Sequence, residues 1–555
     1  MMDTARASAP VRLVPVRPTP PVSPPRAFRL PDSRPSVPGP HGPQPPAARA
    51  RVALRLLNGA PLATALAIVG AAMAWNLQGY PGRVNDDEGT YVDRAWAMLS
   101  AHHLSNYTYY WDHPFLGWAT IGAWAGLTDG YPRDPRSVMV GRELMWVTTL
   151  ISCVLLYVLA RRIDVRRPFA AVAVILFGLS PVDIFFHRLV SLDNLATSWA
   201  LAALVLAASR RRSWAAAIGS GACFAIAVWN KETIALLFPA VLWLMCQHTD
   251  RSTRLANVSS FCVVSLSGIA FYPLLAILKG ELLPGPGHNS LWSEQVVFQL
   301  TRQGTGSVLN THSGTYLQFH SWLALDQWTV FGAAAAIVAG LLVRRLRPFA
   351  LALILQAAIM VKGGYVPYAF VTAMLPFEAL VIAGTADAWW QPVCDAWKHR
   401  RTRSRRLFAL GVSQIGKAPV LAASALFLVV IAPGWLGSLE RQSRTKGFGT
   451  ETAAVSWIAE HVPAGDIVAC DAYPWLDIRL HSDATPLYIW QVDIDPQVMR
   501  TELPKGYRSI SYLVLAPDSP LTFSALPGRP TLQQAISHST VVRRFGNIVI
   551  YKVRG

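Results

Sequence analysis

The sequence predicts an α-helical polytopic membrane protein, with about eleven transmembrane helices and a small C-terminal extracytoplasmic α/β domain. Three observations predict it. Of the 555 residues, 52% are hydrophobic and only 15% charged, and mean hydropathy is +0.31; a water-soluble chain carries nearer a quarter charged residues. The apolar runs are about twenty residues long, enough for a helix to cross the bilayer and about twice the length of a barrel strand. The basic residues sit in short clusters after alternate runs, the placement that marks cytoplasmic loops.

The formal net charge is +18. Its distribution excludes nucleic acid as the partner it points to. The clusters are "RRIDVRR" at Arg161 to Arg167, "SRRRS" at Ser209 to Ser213, "RRLR" at Arg344 to Arg347 and "KHRRTRSRR" at Lys398 to Arg406, each beside an apolar run. The partner is the lipid bilayer. Twenty tryptophans agree with it, since Trp favours membrane interfaces. The six cysteines show neither a pairing framework nor a CxxC metal spacing.

Residues 1–55 are rich in Pro, Ala and Arg and read as a disordered cytoplasmic tail. Nine Arg against Asp3 and Asp32 hold it inside. Residues 56–436 read as the transmembrane part. The expected span centres are near Ile68, Ile151, Ile175, Leu204, Ala222, Leu237, Leu266, Ala336, Leu355, Ala373 and Leu426. Counting from a cytoplasmic N-terminus in the plasma membrane, the basic clusters follow the second, fourth, eighth and tenth spans, all on the inner side. Two long loops, 80–137 and 279–327, then lie outside, as does the chain over 437–555. In that last part "TETAAVSWIAEHV" has a helical apolar period, and "DIVACDA", "SYLVLAP" and "NIVIYKV" read as buried strands.

"RVNDDEGTYVDRAWAML" at Arg83 to Leu99 places three acids just after the first span. One reading is structural: Asn85 caps a helix and Glu88 completes a capping box. Capping needs one or two such groups, not three. Other outer segments add ionisable residues at the same membrane level: Asp112 and His113 in "YYWDHPFLGW", His187, Arg188 and Asp193 in "FFHRLVSLDNLATSW", Lys231 and Glu232 in "VWNKETI", and Lys362 with Tyr365 and Tyr368 in "MVKGGYVPYAF". Singly, each reads as an interfacial anchor or a structural ion pair. Together, from segments far apart, they suggest a site that binds an anion beside carboxylates.

In these segments the chain resembles the GT-C membrane glycosyltransferases, in the branch of protein O-mannosyltransferases and bacterial aminoarabinose transferases. "DDEGTYVDRAWAML" followed by "YWDHPFLGW" is similar to the family's first outer loop, with Asp87 and Asp112 25 residues apart. "RLVSLDN", "NKET" and "GGYVPYAFVTAMLPFEAL" are similar to its later motifs. The likeness runs from about Leu62 to Ala383. Thr90, His113 and Phe115 depart from the family pattern at positions where it has a basic residue, a basic residue and a second proline.

The resemblance implies a glycosyltransferase that takes a sugar from a polyprenyl-phosphate donor, with inversion, to an extracytoplasmic hydroxyl on protein, lipid or cell-wall glycan. A carboxylate beside the acceptor can take its proton, and cations can hold the leaving phosphate. Asp87 is expected as the catalytic base, with Glu88 orienting it or the acceptor. Asp112, His113, Arg188, Asp193 and Lys231 are expected at the donor. Asp112 and Asp193 could instead help hold a divalent metal; ion pairing is favoured, and no cofactor is assigned. Two other readings use the same features: a transporter or lipid flippase, and a non-catalytic envelope-assembly protein on the same fold. The absence of an internal repeat and the gathering of charge at one face speak against a transporter.

Overall fold

A helix rises about 1.5 Å per residue, so about twenty apolar residues cross the hydrocarbon layer. The computed structural model describes residues 46–82, 85–210, 213–298, 306–398, 422, 425–516 and 529–554. Among them four helices are long and apolar enough to span: Val138–Arg162, Arg254–Leu278, Gly314–Leu342 and Tyr368–Trp390. A fifth span is formed if Arg167–Leu179 and Pro181–Arg188, bent by 63° against each other, cross together. Four more apolar segments, Gly59–Ala74, Leu192–Ala207, Trp214–Asn230 and Glu232–His248, are shorter. Nine of the expected span centres fall in these segments, and Leu355 falls in another short helix, Arg347–Lys362. Leu426 adjoins residues that are not described. Length and composition therefore give a many-helix membrane protein but not a count of eleven. The shortfall has a physical cause: runs break at a proline or a 3₁₀ turn, as at Pro181 and Glu232–Leu237, where the sequence alone reads one continuous apolar stretch.

The chain divides into two units, Met1–Leu56 and Leu57–Gly555. The expected tail, apart from its last ten residues, lies outside the described residues. The membrane helices and the sheet belong to the second unit. Its helices are α1 (Pro46–Ala74, which begins in the first unit), α2 (Asp86–Trp96), α3 (Leu116–Thr128), α4 (Val138–Arg162), α5 (Arg167–Leu179), α6 (Pro181–Arg188), α7 (Leu192–Ala207), α8 (Trp214–Asn230), α9 (Phe238–His248), α10 (Arg254–Leu278), α11 (Gly314–Leu342), α12 (Arg347–Lys362) and α13 (Leu375–Lys398). Then come α14 (Ala432–Arg444) and α15 (Gly449–His461). The remainder alternates strand and helix: β1 (Ile467–Cys470), α16 (Ala472–His481), β2 (Thr485–Tyr488), α17 (Pro496–Thr501), β3 (Ile510–Leu515), α18 (Pro530–Ser537), β4 (Ser539–Phe545) and β5 (Ile548–Val553).

The strands form one sheet in the order β2-β1-β3-β5-β4. β2, β1 and β3 run parallel, and β5 is antiparallel to β3 and β4. The segments "DIVACDA", "SYLVLAP" and "NIVIYKV" supply β1, β3 and β5. One apolar core, including Phe177, Phe186, Phe224 and Phe349, lies among the membrane helices. A second joins Tyr91, Val92 and Ala95 of α2 to Trp475, Leu476 and Leu513 of the α/β part. The sheet is thus packed onto α2. Gly89 makes the join close: a Cβ there would lie 2.5 Å from the backbone of Ala472 and Tyr473, so only glycine lets α2 and α16 touch.

Candidate functional site

The three neighbouring acids at the start of α2 point three ways. Asn85 caps the helix, accepting from Asp87 N at 3.0 Å, and Glu88 Oε2 accepts from Asn85 N at 2.9 Å, the reciprocal box the sequence suggested. Glu88 also receives Arg142 through Nε and Nη2, both at 3.0 Å, and Val190 N at 2.9 Å. Arg142 and Glu88 are 0% and 1% exposed. Arg142 further donates to Pro81 O at 3.0 Å. Asp86 turns to the α/β part. Its Oδ1 accepts from Ala472 N at 2.9 Å and its Oδ2 from Tyr488 Oη at 2.5 Å. A carboxylate therefore fills the anion site at the N-terminus of α16. Burial, with the Asp87 charge adding to it, pushes the Asp86 carboxyl up to about 6 against these donors. Asp87 is left exposed, its carboxylate without a hydrogen bond among the described residues.

Asp87 lines a cavity of about 1480 Å³ that also takes in Asp112, His113, Asp193 and Lys231. Five of the seven expected site residues are therefore brought together. Lys231, 3% exposed, ends α8 in extended conformation. Its Nζ lies 3.0 Å from His113 Nε2, and His113 Nδ1 lies 3.1 Å from Glu232 Oε2. The chain suits Lys231 donating to Nε2 and Nδ1–H donating to Glu232, which leaves Lys231 further protons for a ligand. Asp193, 4% exposed, begins α7, where Ser191 Oγ donates to it at 3.0 Å. Asp112 Oδ1 pairs with Arg94 Nη1 at 2.7 Å. Burial alone would raise the Asp112 carboxyl, but Arg94, His113 and Lys231 hold it below the usual range. Beneath it Glu294 accepts from Trp111 N at 2.5 Å, and burial, then Asp112, pushes that carboxyl up to about 9.

Two expected residues stand elsewhere. Glu88 does not line the cavity; its cap and Arg142 occupy it. Arg188 does not line it either. Its Nη2 donates to the carbonyls of Ala72 and Trp75, both at 2.7 Å, so it satisfies the C-terminal end of α1. It lines a separate crevice of about 340 Å³. Lys362 is exposed and outside the cavity, whereas Tyr365 and Tyr368 line it. Sequence reasoning did not reach Arg94, Arg142 or the α/β residues of the wall. Arg94 carried a signal, two helical turns beyond Asp87 on one face. Among the described residues no three His, Cys, Asp or Glu side chains are grouped to hold a metal ion, and Asp112 already spends an oxygen on Arg94.

The cavity has two kinds of wall. Phe185, Leu189, Pro367, Tyr368 and Ala369 make an apolar one from the membrane helices. Asp471, Tyr473, Tyr488, Trp490, Gln491 and Arg529 make a polar and aromatic one from the α/β part.

Comparison with known proteins bears on this arrangement. Residues 137–277 match the family model of dolichyl-phosphate-mannose-protein mannosyltransferase. No curated protein sequence matches the chain. Among solved structures, it is similar to ArnT from Cupriavidus metallidurans bound to undecaprenyl phosphate, at 15% identity and TM-score 0.51, over 91% of this chain and 98% of that one. It is also similar to the oligosaccharyltransferase of Archaeoglobus fulgidus, at 12% identity and TM-score 0.51, over 82% of this chain and 69% of that one. By fold the chain is similar to both of these membrane-protein structures.

Proposed function

We propose that the chain transfers a sugar from a polyprenyl-phosphate donor to an acceptor hydroxyl at the outer face of the plasma membrane, with inversion at the sugar carbon. The observation that carries this reading is the unpartnered Asp87 carboxylate in the same cavity as Lys231, between an apolar and a polar wall. Asp87 takes the acceptor proton as the new bond forms. Lys231, oriented by His113 and Glu232, receives the negative charge that develops on the departing phosphate. Asp112, held by Arg94, and Asp193 keep the pocket around that cation ordered. Glu88 fixes the helix start that carries Asp87, in place of a direct catalytic part. The apolar wall suits a lipid chain entering from the bilayer. The likeness to a structure bound to undecaprenyl phosphate supports a lipid-linked donor.

In this reading the Arg-rich loops lie in the cytoplasm. Loops 80–137 and 279–327 and the chain over 437–555 lie outside it. The test is sugar transfer from a polyprenyl-phosphate donor to isolated envelope acceptors by the full chain in nanodiscs. Asp87→Asn should lose most turnover while melting normally, and Asp86→Asn should lose far less. Transfer by Asp87→Asn at near the wild-type rate would sink the assignment.

A further inference from the structure

In an open sheet with parallel strands, ligands bind outside the carboxyl ends of the strands where the strand order reverses. Here β1 sits between β2 and β3, and all three are parallel. The chain leaves β1 through α16 to β2 on one side, then returns to β3 on the other. The reversal therefore falls between β1 and β3. The residues just beyond all three carboxyl ends line the cavity: Asp471 after β1, Trp490 and Gln491 after β2, Ala516 after β3. Asp471 Oδ2 bridges the reversal, accepting from Ala516 N at 3.3 Å.

Two polar atoms on this wall are unsatisfied. Gln491 is 2% exposed, and its Oε1 has no hydrogen-bond partner among the described residues. The Tyr473 hydroxyl also has none. A buried polar atom left so costs about 1–3 kcal/mol, which a ligand with hydroxyl groups removes.

We propose that this carboxyl edge is the acceptor subsite and that the acceptor it holds is a carbohydrate. The proposal rests on the transferase reading. Asp87 lines the same cavity as Lys231 and as Tyr488 of the sheet. In an inverting displacement the attacking oxygen stands opposite the leaving phosphate. If the phosphate lies at Lys231, the acceptor lies toward the sheet. The acceptor O–C bond forms as the sugar C–O bond to phosphate breaks. The hydroxyl proton goes to Asp87, and the bonding electron pair leaves with the phosphate.

The chemistry of the wall selects a neutral polyol. Its helix N-terminal anion site is already filled by Asp86, and Asp471 and Glu451 add negative charge. Of its cations, Arg529 donates to the carbonyls of Trp490 and Val492, both at 2.7 Å, and Lys446 is exposed. What remains is aromatic surface from Tyr473 and Trp490 beside an amide and a carboxylate, groups that contact ring faces and hydroxyls. A peptide would seek a main-chain ladder. The cavity meets strand ends rather than a strand flank, and Tyr488 N–H is already taken by Tyr107 Oη at 2.9 Å.

The experiment uses the full chain in nanodiscs and three probes: undecaprenyl phosphate, neutral oligosaccharides (mannose- and arabinose-based), and a Ser/Thr-rich peptide. Binding is measured for wild type, Trp490→Ala and Gln491→Ala. An oligosaccharide should bind wild type, and bind the Trp490 and Gln491 variants at least about tenfold more weakly. Undecaprenyl phosphate should bind all three equally. Peptide binding without oligosaccharide binding overturns the proposal, as does oligosaccharide binding that both wall variants leave unchanged. Loss of undecaprenyl phosphate binding in the wild type, with oligosaccharide still bound, overturns the transferase reading instead.

Discussion

Glu88 and Asp87 are adjacent acids on one helix turn, and their surroundings are opposite. Glu88 is enclosed with Arg142 and accepts from Arg142, Val190 and Asn85. Asp87 is exposed to a large cavity, and its carboxylate has no hydrogen bond among the described residues. A fully satisfied buried carboxylate has no lone pair to offer a substrate, and moving a proton onto it would disrupt its partners. An exposed carboxylate on a rigid helix start can accept a proton at little structural cost. The pair shows one acid spent on holding a backbone still beside a neighbour left open to the cavity.

The largest effect that would sharpen this contrast is kinetic. Asp87→Asn should cut turnover about 10²- to 10⁴-fold, or roughly 3–5 kcal/mol of barrier, without moving the melting temperature. If Glu88→Gln shows that loss at unchanged stability, the two roles are reversed. The next effect is on folding. Arg142→Met leaves the Glu88 carboxylate buried without its cation, which should cost about 3–5 kcal/mol and lower the melting temperature in detergent. An unchanged melt would mean the pair is not what holds α2.

Smaller is the effect of Lys231→Ala on undecaprenyl phosphate binding. One charge-assisted contact is worth about 1.5–3 kcal/mol, so Kd should rise roughly ten- to a hundredfold, with Lys231→Arg affected less. Equal binding by wild type and Lys231→Ala would reduce Lys231 to an interfacial anchor.

The smallest is pH dependence. The Asp86 carboxyl is raised to about 6 in the folded chain, burial being the main cause. The folded state therefore binds its proton more readily than the unfolded chain does. That contribution is fully present below about pH 4 and is lost as pH rises through 6. Melting temperature should accordingly climb between pH 7 and 5, and Asp86→Asn should flatten part of the climb. A wild type and an Asp86→Asn variant with the same profile would show that this carboxylate does not titrate against folding.

The apolar segments of the membrane part were legible because apolar length is a local signal. The span count was not, since a proline or 3₁₀ break leaves hydropathy unchanged while ending a helix. Ionisable residues near the ends of apolar runs, such as Asp112, Asp193 and Lys231, were legible as candidates because charge there is costly, and the structure brings these three to one cavity. Glu88 and Arg188 looked alike by the same criterion. What separates them is a partner far along the chain: Arg142, in the second turn of α4, for Glu88, and the carbonyls of Ala72 and Trp75 for Arg188. No local pattern announces such a partner. The α/β wall was invisible for the same reason. Three of its five strands could be read from sequence, but not that the carboxyl end of β1 faces α2.

The contact between Asp86 and Ala472 joins positions 386 apart in the chain. It is made by residues that leave the ribosome early and late, so a nascent chain holding all its membrane helices still lacks one wall of the cavity. Asp87 thus stands on a helix that is touched on one side by chain made 386 residues later, and a chain truncated before α16 carries its acids without the surface that closes around them.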